Sequence, residues 1–217
     1  AVAGLKHVKH PINAAYAVKT KSPHVMLSGA GAEEFAKEQG LEMVEDNMYF
    51  ATPKTMEWIE KLKQESKKNG TVGCVVLDKQ GNLTAGTSTG GMFKKRWGRI
   101  GDSPVIGAGT YADNNSCAVS CTGHGEYFIR HAVAFDVCAR YKYLKESVEK
   151  AADYIIHTEL NTNAGNGGLI AVDKLGNIAM PYNGGGMFRG FLYKEKGSPE
   201  IKKGCGIGKK IVVVGEK

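Results

Sequence analysis

The residues best suited to do chemistry stand at one junction, Gly70-Thr71. It joins a polar, charged segment, Lys63-Gln-Glu-Ser-Lys-Lys-Asn69-Gly70, to an apolar, β-branched run, Thr71-Val-Gly-Cys-Val-Val-Leu77. A threonine hydroxyl is a weak nucleophile at neutral pH unless a base sits beside it. Cutting the peptide bond before Thr71 would supply that base, because it frees the residue's own α-amine. An α-amine titrates near 7.7–8.0 and a lysine near 10.4, so roughly 10–20% of α-amines are unprotonated at pH 7, against well under about 0.1% of lysines. Glycine on the acyl side leaves the attacked carbonyl unhindered. Gly-Thr is also a common dipeptide, and on composition alone Thr71 could be only the first residue of a strand.

The elements around the junction set where it must lie. Thr71 to Leu77 reads as a strand buried on both faces. Asp78-Lys-Gln-Gly81-Asn82 supplies a turn, and Leu83 to Thr87 returns as a second strand. Gly168-Leu-Ile-Ala-Val-Asp173-Lys-Leu-Gly176-Asn177-Ile-Ala-Met180 repeats the same grammar, so two hairpins, and possibly two facing sheets, are expected. Between them lie one helix from Glu126 to Tyr143 and another capped by Ser147, which buries Val148, Ala151, Ala152, Ile155, Ile156 and Leu160. Lys210 to Val214 reads as a closing strand. Before the junction, helices are predicted from Pro11 through Val18, over Glu33 to Gln39, and after Thr52-Pro53 through Met56, Ile59 and Leu62.

Bulk properties exclude several classes. No apolar run approaches the ~20 residues that span a bilayer, and the first residues lack the basic and apolar blocks of a signal peptide. Five cysteines without CxxC pairing (Cys74, Cys117, Cys121, Cys138, Cys205) argue against a disulfide framework or zinc site and fit a reducing, cytoplasmic setting. Cys117 and Cys121, four apart on a strand, read as small buried residues of one face. The formal charge of +7 comes from scattered lysines, which read as solvated surface rather than a nucleic-acid footprint.

The stretch from Thr71 to Glu126 closely resembles the plant-type asparaginase/isoaspartyl peptidase family of N-terminal-nucleophile hydrolases. The resemblance rests on Thr71-Val-Gly, Leu77-Asp78-x-x-Gly81-Asn82, Thr87-Ser88-Thr89-Gly90-Gly91 and Gly98-Arg99-Ile100-Gly101-Asp102-Ser103-Pro104. It continues through Gly107-Ala108-Gly109-x-Tyr111-Ala112-Asp113 and Cys121-Thr122-Gly123-His124-Gly125-Glu126, and reaches Ala1–Gly4, Ser22–Met26 and Gly167–Ile170. Ordered blocks at consistent spacing are far more specific than one short motif. Ser88-Thr89-Gly90-Gly91 and Thr122-Gly123-His124-Gly125-Glu126 favour this branch over the glycosylasparaginases.

The resemblance implies an α+β fold, a four-layer αββα sandwich, and autoproteolysis between Gly70 and Thr71. Residues 1–70 and 71–217 would remain one structural domain after cleavage, usually in a dimer of such pairs. It implies hydrolysis of the β-amide of L-asparagine and of β-aspartyl dipeptides, both small molecules, with Thr71 as nucleophile and Thr89 as its hydrogen-bonding helper. Arg99 would grip the substrate α-carboxylate and Asp102 its α-ammonium, as suits a guanidinium fork and a carboxylate. Thr122 and Gly123 would form the oxyanion hole, Gly125 would admit the ligand close to the backbone, and His124 would be a non-catalytic neighbour.

Two departures stand out. Members begin with a His-Gly-Gly strand and an Asn-Ala-Gly loop that helps bind a structural sodium; this chain starts after both, so no metal or other cofactor is expected. Asn183-Gly184-Gly185-Gly186 is richer in glycine than is usual, which would either reshape the substrate pocket or loosen a turn. The competing readings are a truncated, non-catalytic relative that serves as a binding module and, behind it, a basic nucleic-acid-binding protein.

Overall fold

The computed structural model describes residues 1–53, 56–57, 70–194, 201–206 and 212–214. The helix expected through Leu62 and the polar segment 63–69 fall mostly outside these residues.

The N-terminal part pairs a short strand β1 (Val2–Ala3) in parallel with β2 (Leu27–Ser28) and carries helices α1 (Pro11–Lys21) and α2 (Gly29–Glu38). Pro11 opens α1, where its missing N–H costs nothing. Gly40, at φ +69°, follows the end of α2 in the left-handed conformation that terminates helices. Val8, Ala14 and Ala36 form a small core there, with Leu5, Leu41 and Met43 against it.

The junction opens a hairpin of β3 (Thr71–Leu77) and β4 (Leu83–Thr89), paired in register from Thr71 opposite Thr89 to Leu77 opposite Leu83. A second, four-stranded sheet has the order β5 (Thr110–Ala112), β6 (Cys117–Gly123), β7 (Gly167–Asp173), β8 (Ile178–Ala179), antiparallel throughout. The hairpin packs on this sheet: β3 against β6 and β7, β4 against β5 and β6. Both anticipated hairpin turns form, closed by Asp78 and Asp173 accepting backbone hydrogen bonds from Asn82 and Asn177.

Helices α3 (Gly125–Arg130), α4 (Val133–Tyr143) and α5 (Val148–Tyr154) follow β6, and α5 continues as a π turn over Ile155–Glu159 and a short turn α6 (Leu160–Thr162). Ser147 caps α5 by accepting from the Lys150 N–H at 3.2 Å. Helices α4 and α5 cover one face of the four-stranded sheet. The main core lies between, with Cys117, Val119, Cys121, Leu169 and Ala171 from the strands meeting Phe128, Val137, Ile155, Ile156 and Leu160. The fold is thus mixed α and β, with two facing sheets and helices on the larger one. A third sheet, in the order β11 (Val212–Val214), β10 (Ile201–Gly206), β9 (Arg189–Lys194), ends the chain.

Two expectations change. Strand β3 is not buried on both faces: Val72 is 73% exposed, and Cys74 and Val76 are exposed too. An apolar run tells of β propensity, not of how many faces are covered; here β3 packs inward on the second sheet, whereas α1 lies against β4 rather than β3. The helix expected from Glu126 to Tyr143 breaks at Ala132, which is left-handed at φ +46°. The cause is tertiary: the Ala134 and Phe135 N–H groups donate to the Ala108 and Gly107 carbonyls at 3.0 and 2.8 Å, which fixes where α4 must start. The sequence reading also missed β9 and β10.

Candidate active site

Three groups of residues converge where the hairpin meets β6. The first is the hairpin's open end. Antiparallel pairing sets Thr71 and Thr89 opposite each other on one face. The Thr71 hydroxyl donates to Thr89 Oγ1 at 3.4 Å, the Gly91 N–H donates to the same oxygen at 3.0 Å, and the Thr89 hydroxyl donates to the Gly70 carbonyl at 2.8 Å. A threonine oxygen has one proton to give and two lone pairs to accept with, so the Thr89 hydroxyl is fully assigned. Its proton points at the bond expected to break.

The second group ends β6. Gly73 of β3 lies so close to Ser120 of β6 that any side chain there would collide with the serine. Thr71 and Thr122 each lie two residues from this crossing, about 7 Å along their strands, and the period of two turns both toward the inter-sheet space. Gly123 adopts φ +147°, and a Cβ there would strike the backbone of Asn166 and Gly167, so only glycine fits. Thr87, Thr110 and Ser120 form a hydroxyl cluster behind the site, with Thr87 Oγ1 2.7 Å from Ser120 Oγ and accepting from Thr110 at 2.5 Å.

The third group is charged. Asp102 is buried between Gly109 and Gly125, where a Cβ on either glycine would meet its carboxylate oxygens at 2.6 and 2.8 Å. Its backbone carbonyl accepts from Val105 and Gly109, which fixes the loop, while its Oδ2 has no hydrogen-bond partner among the described residues. Burial, the largest influence, pushes the Asp102 carboxyl up to about 6; Glu126 adds to the push, and the residue's own backbone N–H and Arg99 pull against it. The Arg99 guanidinium, only 18% exposed, donates from Nε and Nη2 to the two Glu126 oxygens at 2.9 and 3.0 Å. That bidentate pair holds the Glu126 carboxyl below the usual carboxylate range. A side chain at Gly125 would crowd both Asp102 and the Arg99 Nη2.

Every residue singled out from the sequence lies in one of these groups. Thr71, Thr89 and Gly70 are in direct contact, and Arg99 and Asp102 both flank Gly125. Thr122 and Gly123 lead from β6 into α3, which carries Gly125 and Glu126. The His124 ring packs beside Tyr127, with Nδ1 lacking a hydrogen-bond partner among the described residues. Cys117 and Cys121 are buried thiols on the face of β6 away from the hairpin, and among the described residues all five cysteines are free. Glu126, Lys95 and the Thr87–Thr110–Ser120 cluster escaped the sequence reading. Their contacts span 27 residues for Glu126 and 33 for Ser120, which no local pattern encodes.

The Asn183 run buttresses the site. The Asn183 side chain accepts from the Gly167 N–H at 2.8 Å and donates to the Ile156 and Gly165 carbonyls, which pins the strand beside Gly123. Among the described residues no three His, Cys, Asp or Glu side chains converge as a metal site requires, and no helix is long and apolar enough to cross a membrane.

A family profile described as asparaginase matches residues 1–201. The chain belongs to the asparaginase family. Among its relatives, an isoaspartyl peptidase of Salmonella typhimurium is 47% identical over 207 residues, which cover 89% of this chain and 66% of that protein. An isoaspartyl peptidase of Escherichia coli is 43% identical, over 91% of this chain and 68% of its own length. A probable isoaspartyl peptidase/L-asparaginase of Arabidopsis thaliana is 42% identical, over 88% and 67%. The chain thus spans about two thirds of the length of these family members.

Proposed function

We propose that this chain is an autoprocessing amidohydrolase that cleaves the β-amide of L-asparagine and β-aspartyl dipeptides through an N-terminal Thr71. The observation that carries the proposal is the placement of Gly70, Thr71 and Thr89: a nucleophilic hydroxyl one bond away from a carbonyl already held by a second hydroxyl. The names of its relatives supply the substrate class. Helix α1 against β4, the two sheets, and α4 and α5 on the far side form the four layers of an αββα sandwich. Residues 1–70 and 71–217 stay together as one domain after cleavage, and two such pairs assemble as a dimer in the cytoplasm. Nucleic acid is no partner.

In self-cleavage the Thr71 Oγ1 attacks the Gly70 carbonyl carbon. The Thr89 hydroxyl donates to the oxygen as negative charge builds on it, a type of stabilisation worth ~3–4 kcal/mol per donor. The hydroxyl proton passes to the departing Thr71 nitrogen, so the amide becomes an ester and the Thr71 α-amine is freed; water then hydrolyses the ester, releasing the Gly70 carboxylate and restoring the Thr71 hydroxyl. That amine is the general base of the hydrolytic cycle. Arg99 binds the substrate α-carboxylate and Asp102 its α-ammonium, and Gly125 leaves room between them. The amine takes the Oγ1 proton as Thr71 attacks the β-carbonyl, and Thr122 and Gly123 stabilise the oxyanion. Ammonia or an amino acid leaves with that proton, and water activated by the same amine hydrolyses the ester to aspartate. None of these steps calls on a metal or other cofactor.

Incubating the purified protein with asparagine and with β-aspartyl-leucine should release ammonia and leucine respectively, and Thr71→Ala should release neither. An active Thr71→Ala protein would contradict the proposal, as would tight amino-acid binding without turnover by the wild type, which would favour the non-catalytic binding module.

A further inference from the structure

The loop after Thr89 is built with unusual backbone strain. Within Gly90–Gly98, Gly91, Lys94, Trp97 and Gly98 all take positive φ (80°, 59°, 54° and 69°), two of them as ordinary L-residues. Strain of this kind persists only where surrounding contacts impose it. Here the imposed contact is visible: the loop turns Lys95 back so that its ammonium donates to the Gly90 carbonyl, in the space a side chain at Gly91 would need.

The Gly90 carbonyl and the Gly91 N–H are the two ends of one peptide group. At one end sits the Lys95 cation; the other donates to Thr89 Oγ1, whose own proton goes to the Gly70 carbonyl. A cation on an amide oxygen shifts electron density toward that oxygen and makes the N–H a stronger donor, and hydrogen bonds in series polarise one another. We propose that Lys95 is a positioning residue for self-cleavage, which acts through the Gly90–Gly91 peptide and the Thr89 hydroxyl to draw charge from the scissile Gly70 carbonyl. The ammonium touches neither the nucleophile nor the carbonyl; it aims and strengthens the donor that does. The inference rests on the self-cleaving role proposed above.

The test is a time course of cleavage of full-length chains made by cell-free synthesis, so that uncleaved precursor is present at time zero. Lys95→Met should slow cleavage about tenfold or more while still melting cooperatively within a few degrees of wild type. Lys95→Arg, which keeps the charge, should stay within about threefold of wild type, and Lys95→Gln, which keeps a donor without the charge, should fall between Arg and Met. A Lys95→Met chain that cleaves at the wild-type rate would overturn the inference, and so would Arg and Gln variants of equal rate, because the charge would then do nothing. If Lys95→Met fails to fold, the Arg–Gln pair alone decides. Wild-type chains that never cleave would sink the self-cleaving role itself, an outcome separate from any of these.

Discussion

The two faces of β6 divide the work of the molecule. Toward the helices it presents Cys117, Val119 and Cys121, sealed against Val137, Ile155 and Leu160. Toward the hairpin it presents Ala118, Ser120 and Thr122, small side chains that let β3 come close enough for Gly73 to touch Ser120. One face excludes water and anchors the sheet. The other gives up packing volume for hydroxyls and close approach, and it alone reaches Thr71. A strand's period of two lets alternate residues of one short segment answer to stability and to chemistry separately.

Substitutions on the two faces should therefore fail in different ways. The largest effect is expected at the end of β6: Gly123→Ala, forced to hold φ +147° against the Asn166 carbonyl, should lower kcat/KM for asparagine by at least 10²–10³-fold, as loss of an oxyanion donor does. Steady-state kinetics checks this, and near-normal turnover would remove Gly123 from the oxyanion hole. On the opposite face, Ile155→Ala should cost about 2–5 kcal/mol of stability, seen in denaturant melts, while the folded fraction keeps its turnover.

Asp102 sharpens the contrast, because there chemistry and stability pull in opposite directions. Its carboxyl titrates near 6 in the folded chain, above its ordinary 3.8, so the fold favours the protonated form. That stabilisation is full below about 4 and is lost as pH rises through 6. At neutral pH Asp102→Asn should therefore raise stability, by up to about 3 kcal/mol. With Asp102 binding the substrate ammonium as proposed, wild-type kcat/KM should fall as pH drops below about 6, and the Asn variant should bind asparagine poorly at every pH. A variant both less stable and fully active would refute this assignment. The smallest effect belongs to Ser120→Ala: losing one hydroxyl of the inter-sheet cluster should cost about 1 kcal/mol in thermal melts and leave cleavage intact.

Much of the site was legible because its residues are local to strands and turns. Once Thr71–Leu77 and Leu83–Thr87 are read as a hairpin, Thr89 must come back beside Thr71, and the glycine-rich stretches around Arg99–Asp102 and Thr122–Gly125 announce close backbone approach. What stayed hidden depends on contacts between distant segments. The Ala108 and Gly107 carbonyls break a helix that its own sequence would continue, and Glu126 takes the Arg99 fork across 27 residues. The exposure of Val72 could not be foreseen either, since an apolar strand looks the same with one face covered as with two.

The central claim concerns one peptide bond, and intact-mass spectrometry with N-terminal sequencing of freshly made and aged full-length protein tests it directly. A fragment beginning at Thr71 should accumulate with time, together with its partner ending at Gly70, and should stay absent from Thr71→Ala. Folded wild-type protein whose bond between Gly70 and Thr71 stays whole while it hydrolyses asparagine would contradict the account.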